Sequence, residues 1–471
     1  MDSYQSSRRQ NAFGLMRLLL CSLVIVSHAF PLGGFGADPT GWWTHSQVNI
    51  GFLALLGFFT LSGYLITDSM RRGSVLTFLW HRGLRILPGF WAVLVFGAVV
   101  VGPVAWIVER GSIAGYWSLA DGGPVTYLLN NFSTYIRQFG IHDVFLDTPY
   151  GQMVNRSAIN GSIWSLYFEI RLYLAVAVLG GLGLLKRARW LAPLGAVAAF
   201  AASLLVDRVP GLVLVIHGLF APGWGPRLAA IFLLGVTARL YSDYLVLDGR
   251  LAAIAAIVVV ATLAFGGFFL VGFACHAYLT LWLCLRAPHW TWRVASKHDF
   301  SYGVFLYAFP VQLTLTVLGA PRLGFLPYLA LSFIVTVPLA VASWFLVERP
   351  ALRLKHRGPG RRRAEARSAG PAHELFEDHG RVGQQRDLVL ERRGGGSVAG
   401  VVENPTAGVA DRIGRDLVGP QRDAGTGAGH LVGIAELVGA ARQADERHPV
   451  GQRTDDRTGA GVADHRAARG Q

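Results

Sequence analysis

"RLLLCSLVIVSHAF", Arg17 to Phe30, is apolar except for two serines, an arginine at one end and a histidine near the other. With its flanks it reaches the length of about 20 residues that a membrane-spanning helix needs. Similar runs recur from Phe13 to about Val347. Of the 471 residues, 52% are hydrophobic and only 15% charged, where a soluble chain carries about a quarter charged. The mean hydropathy is +0.40. The fold class predicted is an all-α polytopic transmembrane bundle.

The hydropathy pattern predicts ten helices, at about 13–31, 48–68, 87–108, 162–184, 190–206, 223–241, 251–270, 272–287, 300–319 and 326–347. The stretch "DRVPGLVLVIHGLFAPGWG", 207–225, leaves room for a short re-entrant segment. Arg8 and Arg9 precede the first run as in a signal peptide. The run is long, lacks a small-x-small cleavage site and is soon followed by another, so a retained helix is expected.

Basic residues in short loops set orientation. No Lys or Arg lies between Arg17 and Arg71, which places "PLGGFGADPTGWWTHSQ" outside. Arg71, Arg72, Arg82 and Arg85 place the next connection in the cytoplasm, together with "KRAR" at 186–189 and "RLKHRGPGRRR" after the last helix. Both termini are thus expected in the cytoplasm, in a bacterial inner membrane. Three segments follow: a cytoplasmic stretch 1–12, a transmembrane domain 13–354, and a tail 355–471. From His356 the composition turns to Gly, Ala, Arg, Asp and Val, with Phe376 its single aromatic. Such a tail is expected to be disordered, or to be a shifted reading frame of GC-rich DNA.

The net charge of +14 comes almost wholly from arginine, since only Lys186, Lys297 and Lys355 are lysines. That fits the codon bias of a GC-rich genome, and no basic-aromatic platform for nucleic acid accompanies it. Cys21, Cys275 and Cys284 lie in apolar runs without metal-ligand spacing and read as small buried side chains.

Arg17 and His28 are 11 residues apart, three turns plus about 20°, so they share one helix face roughly 16 Å apart. An ionisable residue inside a spanning helix usually faces the bundle interior or a watery cavity. His28 alone is compatible with a structural hydrogen bond or with chemistry. In "NGSIWSLYFEIRLYL", 160–174, Ser162, Ser165, Glu169 and Tyr173 form a polar stripe along one face. Entering from outside, this helix is expected to bring Glu169 into the outer half with His28, where a carboxylate would orient and charge-stabilise the imidazole. A structural ion pair with an arginine elsewhere is the competing reading. In "HRGLRILP", 81–88, Arg82 and Arg85 stand at the expected cytoplasmic start of a helix. Alone they read best as positive-inside anchors; with Arg17 they make a cluster suited to phosphate or pyrophosphate. Together the pieces suggest a phosphorylated acyl donor at the inner mouth, its arm running outward to His28.

These motifs resemble the acyltransferase 3 family of membrane O-acyltransferases over about residues 11–354. The Arg17/His28 pair, "FFTLSGYLI" at 58–66, "HRGLRILP", "WSLYFE" at 164–169, "SYGVFLYAFPV" at 301–311 and "VERP" at 347–350 carry the resemblance. It implies an acyl-CoA donor, typically acetyl-CoA, used as substrate with no permanently bound cofactor, and a hydroxyl acceptor, often on a cell-envelope glycan. The family's first-helix pair falls on Arg17 and His28, its coenzyme A arginines on Arg82 and Arg85, and its glutamate on Glu169. Ala308 departs from the family's common histidine, which leaves His28 as the favoured base. General-base transfer by His28 with Glu169 assisting is expected, with an acyl-histidine relay as a variant. A transporter of a lipid or sugar, with His28 and Glu169 as proton relay, is the reading from a different class. No convincing repeated halves support it. An inactive membrane scaffold is a third.

Overall fold

The computed structural model describes residues 11–119, 121–205, 224–294 and 298–359. The expected disordered tail beyond Pro359, most of the 207–225 stretch and the first ten residues lie outside the described residues. Within them every regular element is helical and none is a strand. Ten long helices run back and forth: α1 (Phe13–Gly33), α2 (Ile50–Arg72), α3 (Val75–Arg110), α4 (Trp164–Gly181), α5 (Leu191–Leu205), α6 (Gly225–Leu240), α7 (Gly249–Phe265), α8 (Phe268–Arg286), α9 (Ser301–Val317) and α10 (Phe325–Arg357). Helices α1, α2, α3, α8 and α10 are long and apolar enough to cross a bilayer, and α5, α7 and α9 are shorter apolar helices. The chain is an integral membrane protein.

The predicted helices all form, with two boundaries far from expectation: α3 starts early, and α10 runs on to Arg357 rather than ending near residue 347. Helix α3 starts at Val75 rather than near residue 87, because Ser74 caps it by accepting from the Thr77 amide at 3.2 Å. "HRGLRILP" therefore lies inside the helix, and Arg82 and Arg85 stand two to three turns past its start. Pro88 is accommodated within it. Between α7 and α8 the break falls at Gly266 and Gly267, whose φ angles of +97° and +89° only glycine adopts readily.

Close packing in lipid relies on small residues that let backbones approach. Gly63 of α2 and Gly235 of α6 face one another's helix at such a crossing. A Cβ on Gly63 would overlap the Phe232 carbonyl, and one on Gly235 would overlap the Thr60 carbonyl. Phe232, Leu228, Ile231 and Leu56 are fully buried around it.

Helices α1 and α2 pack antiparallel, which fixes depth. Ser27 lies against Gly51, Leu20 against Gly57, and the Phe13 ring 5.9 Å from that of Tyr64. His28 is thus level with the start of α2, and Arg17 with its Thr60–Ser62 turn. Helix α9 runs alongside α1, with Gln312 Nε2 donating to the Ile25 carbonyl at 3.0 Å. Short helices Pro39–Trp43 and Pro149–Val154 lie at the end of the bundle near His28, and Pro124–Asn131 packs Tyr127 against Gly97 of α3.

Candidate active site

Two polar centres lie at different depths along α1. The one at the Arg17 end, labelled the inner centre, is built around Asp299, just before α9; the one at the His28 end is labelled the outer centre. Its Oδ2 accepts from Arg17 of α1 at 2.8 Å and from Arg85 of α3 at 2.7 Å. Its Oδ1 accepts from the Ser301 hydroxyl and, at 3.3 Å, from the Ser301 amide. Burial alone would raise the Asp299 carboxyl, but the Arg85 and Arg17 charges and the Ser301 hydroxyl outweigh it and hold the group well below the usual carboxylate range. Arg85 also reaches Glu348 of α10 at 3.5 Å, and that glutamate is itself buried. Helices α1, α3 and α10 and the segment just before α9 are tied together through three ion pairs.

Arg82 sits one turn from Arg85 and is held differently. It donates to Ser69 at 3.1 Å, and its Nε is buried without a partner among the described residues. Glu169 and Tyr173 of α4 lie within electrostatic reach of it. Glu169 accepts from Ser62 of α2 at 2.9 Å and from the Tyr173 hydroxyl.

That arrangement corrects the expected pairing of Glu169 with His28. Ser62 is level with Arg17, so Glu169 belongs to the inner centre. The reason lies in where α4 begins. Asn160 donates to the Leu306 carbonyl at 2.9 Å, and Gly161 packs against the Phe309 ring, which itself meets His28. The chain thus dips to the depth of His28 before α4 starts. From the start of α4 at Trp164, five further residues, about 7.5 Å of helix, carry Glu169 below it.

The outer centre surrounds His28. Its ring meets that of Phe309 edge-on at 5.4 Å, and Phe309 meets Tyr150 in the same way at 5.3 Å. His28 Nδ1 is buried without a partner among the described residues, and so is the hydroxyl of Ser162, which follows the Gly161 packed on Phe309. Among the described residues the charged group acting on His28 is Asp38. Asp38 is buried and accepts from the Ser27 hydroxyl at 2.6 Å, the Thr40 amide at 2.9 Å and the Thr40 hydroxyl at 2.7 Å.

The structure therefore brings Arg17, Arg82, Arg85 and Glu169 together and leaves His28 apart from all four. Arg17 and His28 do share a face, since both meet α9: one at Asp299, the other at Phe309. Sequence reasoning misses Asp299, Glu348 and Asp38. A signal existed for Asp38, the one acidic residue between Arg17 and Thr67.

A family described as "Acyltransferase domain" matches residues 10–345. The chain belongs to the acyltransferase 3 family. Two curated proteins are similar to it. An "O-acetyl transferase" of Shigella phage Sf6 is 26% identical over 351 residues, covering 72% of this chain and 96% of the relative. "Nodulation protein 10" of Rhizobium leguminosarum bv. viciae is 28% identical over 391 residues, covering 74% and 95%. No solved structure matches. The protein is an enzyme, an O-acyltransferase using an acyl donor and a hydroxyl acceptor.

Proposed function

We propose that the protein moves an acetyl group from acetyl-CoA to a hydroxyl of a cell-envelope glycan, across the depth of a bacterial inner membrane. In this reading both termini and the arginine centre are cytoplasmic, and His28 lies in the outer half. One observation carries it: Arg17 and His28 stand on one face of α1, roughly 16 Å apart along the helix, each against α9. An extended phosphopantetheine arm suits that span. The phosphates of the donor occupy the arginine end and the thioester reaches the histidine.

At the inner end Arg82 is the first phosphate ligand. Its guanidinium bonds a hydroxyl, while Arg17 and Arg85 are already engaged by carboxylates. Charge-assisted hydrogen bonds from arginine to phosphate are short and strong. Glu169 and Tyr173 hold the wall facing Arg82. At the outer end the His28 imidazole takes the proton of the acceptor hydroxyl as its oxygen attacks the thioester carbonyl. The carbon–sulfur bond then breaks, and the leaving thiolate takes the proton from the imidazolium, giving the ester and coenzyme A.

The test has two parts. Envelope glycans of a strain lacking the gene, compared with its parent by mass spectrometry, lose acetyl groups. Purified protein in lipid transfers label from acetyl-CoA to the parental glycan. Unchanged glycan acetylation in the deletion strain, with no transfer in vitro, overturns the donor and acceptor assignment.

A further inference from the structure

The outer centre contains a carboxylate, and it is not the one the sequence pattern offers. We propose that Asp38 is a positioning residue for the transfer reaction: its charge stabilises the His28 imidazolium that forms when the acceptor hydroxyl is deprotonated. The inference rests on the reading of His28 as the base.

The placement is specific. Asp38 is 7% exposed, although it belongs to the connection between α1 and α2. A carboxylate is rarely buried unless it is satisfied by hydrogen bonds or charge. Ser27, the residue preceding His28, donates to its Oδ2 at 2.6 Å, so the carboxylate is anchored to the turn of α1 that carries the imidazole. Its Oδ1 accepts from the Thr40 amide and hydroxyl, capping the short helix Pro39–Trp43. Thr40 in turn accepts from the Ile50 amide at 2.8 Å at the start of α2. The carboxylate is thus fixed between the ends of two helices, beside the reaction centre.

Among the described residues no other charge acts on His28 beside it. Helix α9 presents Phe309 and Gln312 to α1, and α10 presents Tyr328, whose hydroxyl donates to the Gln312 carbonyl. Gly51 and Phe52 occupy the start of α2. From Pro149–Val154 comes Tyr150, whose hydroxyl is pushed up to about 12 by burial, against the opposing pull of Arg156. It stays neutral across the working range. Asp38 is the group whose charge reaches His28.

Proton transfer to His28 creates a cation in a buried site, and a fixed anion nearby favours that state. Capping alone also explains a buried aspartate, and one substitution separates the two roles. Asparagine caps helices about as well as aspartate, so Asp38→Asn keeps the shape and removes the charge. The assay is acetyl transfer by the full-length protein in lipid, with kcat, KM for acetyl-CoA and the pH profile recorded. The expected result for folded Asp38→Asn is a kcat at least about ten-fold lower, with donor KM within about two-fold because the phosphate anchor lies at the other centre. The acid limb of the profile moves to lower pH, since the imidazole protonates less readily without the anion. Asp38→Glu restores part of the rate.

Parental kcat and an unmoved profile in folded Asp38→Asn overturn the proposal. If that variant fails to fold, Ser27→Ala removes the hydrogen bond that anchors Oδ2 and is expected to lower kcat several-fold at unchanged donor KM. A parental kcat there overturns it equally. His28→Ala run in parallel keeps the two ideas apart. An active His28→Ala defeats the base assignment, whereas an inactive one beside a fully active Asp38→Asn defeats the role of Asp38 alone.

Discussion

Replacing Asp299 with asparagine removes the one carboxylate shared by Arg17 and Arg85, leaving two guanidinium groups converging on a neutral amide. Breaking a buried ion pair from one side costs about 3–5 kcal/mol, because the remaining charge stays desolvated and unpaired. Here the side chains of Asp299, Arg85 and Arg17 are 19%, 21% and 27% exposed, so water relieves part of the penalty. The expected loss is about 3 kcal/mol, the lower end of that range. It corresponds to a drop in the thermal midpoint of roughly 4 °C for a domain of this size. The pH dependence has a definite sign. The folded-state carboxyl lies well below its ordinary range through its arginines, so its contribution is complete above the unfolded value of about 4 and fades as pH falls further. The gap between parent and Asp299→Asn should therefore be full at neutral pH and narrow at about pH 3. Thermal unfolding of detergent-solubilised protein at the two pH values measures it. Equal midpoints at neutral pH would show that Asp299 does not hold the two arginines together.

Gly63→Ala and Gly235→Ala each place a methyl on a facing backbone carbonyl, so each should cost at least about 1–3 kcal/mol. Monodisperse yield in detergent should fall for both and stay parental for Gly41→Ala, where a Cβ meets nothing within 4 Å. Arg82→Ala removes charge-assisted phosphate contacts of about 1.5–3 kcal/mol, raising donor KM by about ten-fold or more with kcat within a few-fold; an unchanged KM removes Arg82 from the donor site. Reporters fused near Gly41 and Asp121 should read outside and one near Gly73 cytoplasmic; a cytoplasmic signal at Gly41 inverts the orientation.

The helices were legible because long apolar runs leave few alternatives, and the shared face of Arg17 and His28 followed from helix geometry. The start of α3 was not. "VLTFLWHRGLR" carries enough charge to resemble a loop, yet Ser74 caps it as helix, and its Arg85 is neutralised by residues far along the chain. Arg85 meets Asp299 and Glu348 across 214 and 263 residues, separations that no local pattern encodes. Glu169 shows a different limit. Its helical face is readable from spacing, whereas its depth depends on the preceding segment dipping inward before α4 begins. Asp38 lies only ten residues from His28, but its burial depends on Ser27 and Thr40 enclosing it.

The central claim is that donor binding and proton transfer occupy opposite ends of one face of α1. A single-turnover experiment on folded His28→Ala in lipid, with labelled acetyl-CoA and acceptor glycan, tests it most directly when coenzyme A affinity is measured on the same sample. The account predicts a rate at least about 100-fold below the parent, with affinity for coenzyme A within about two-fold because Arg17, Arg82 and Arg85 are untouched. Transfer at the parental rate, or a loss of coenzyme A binding as large as that of Arg82→Ala, would contradict it.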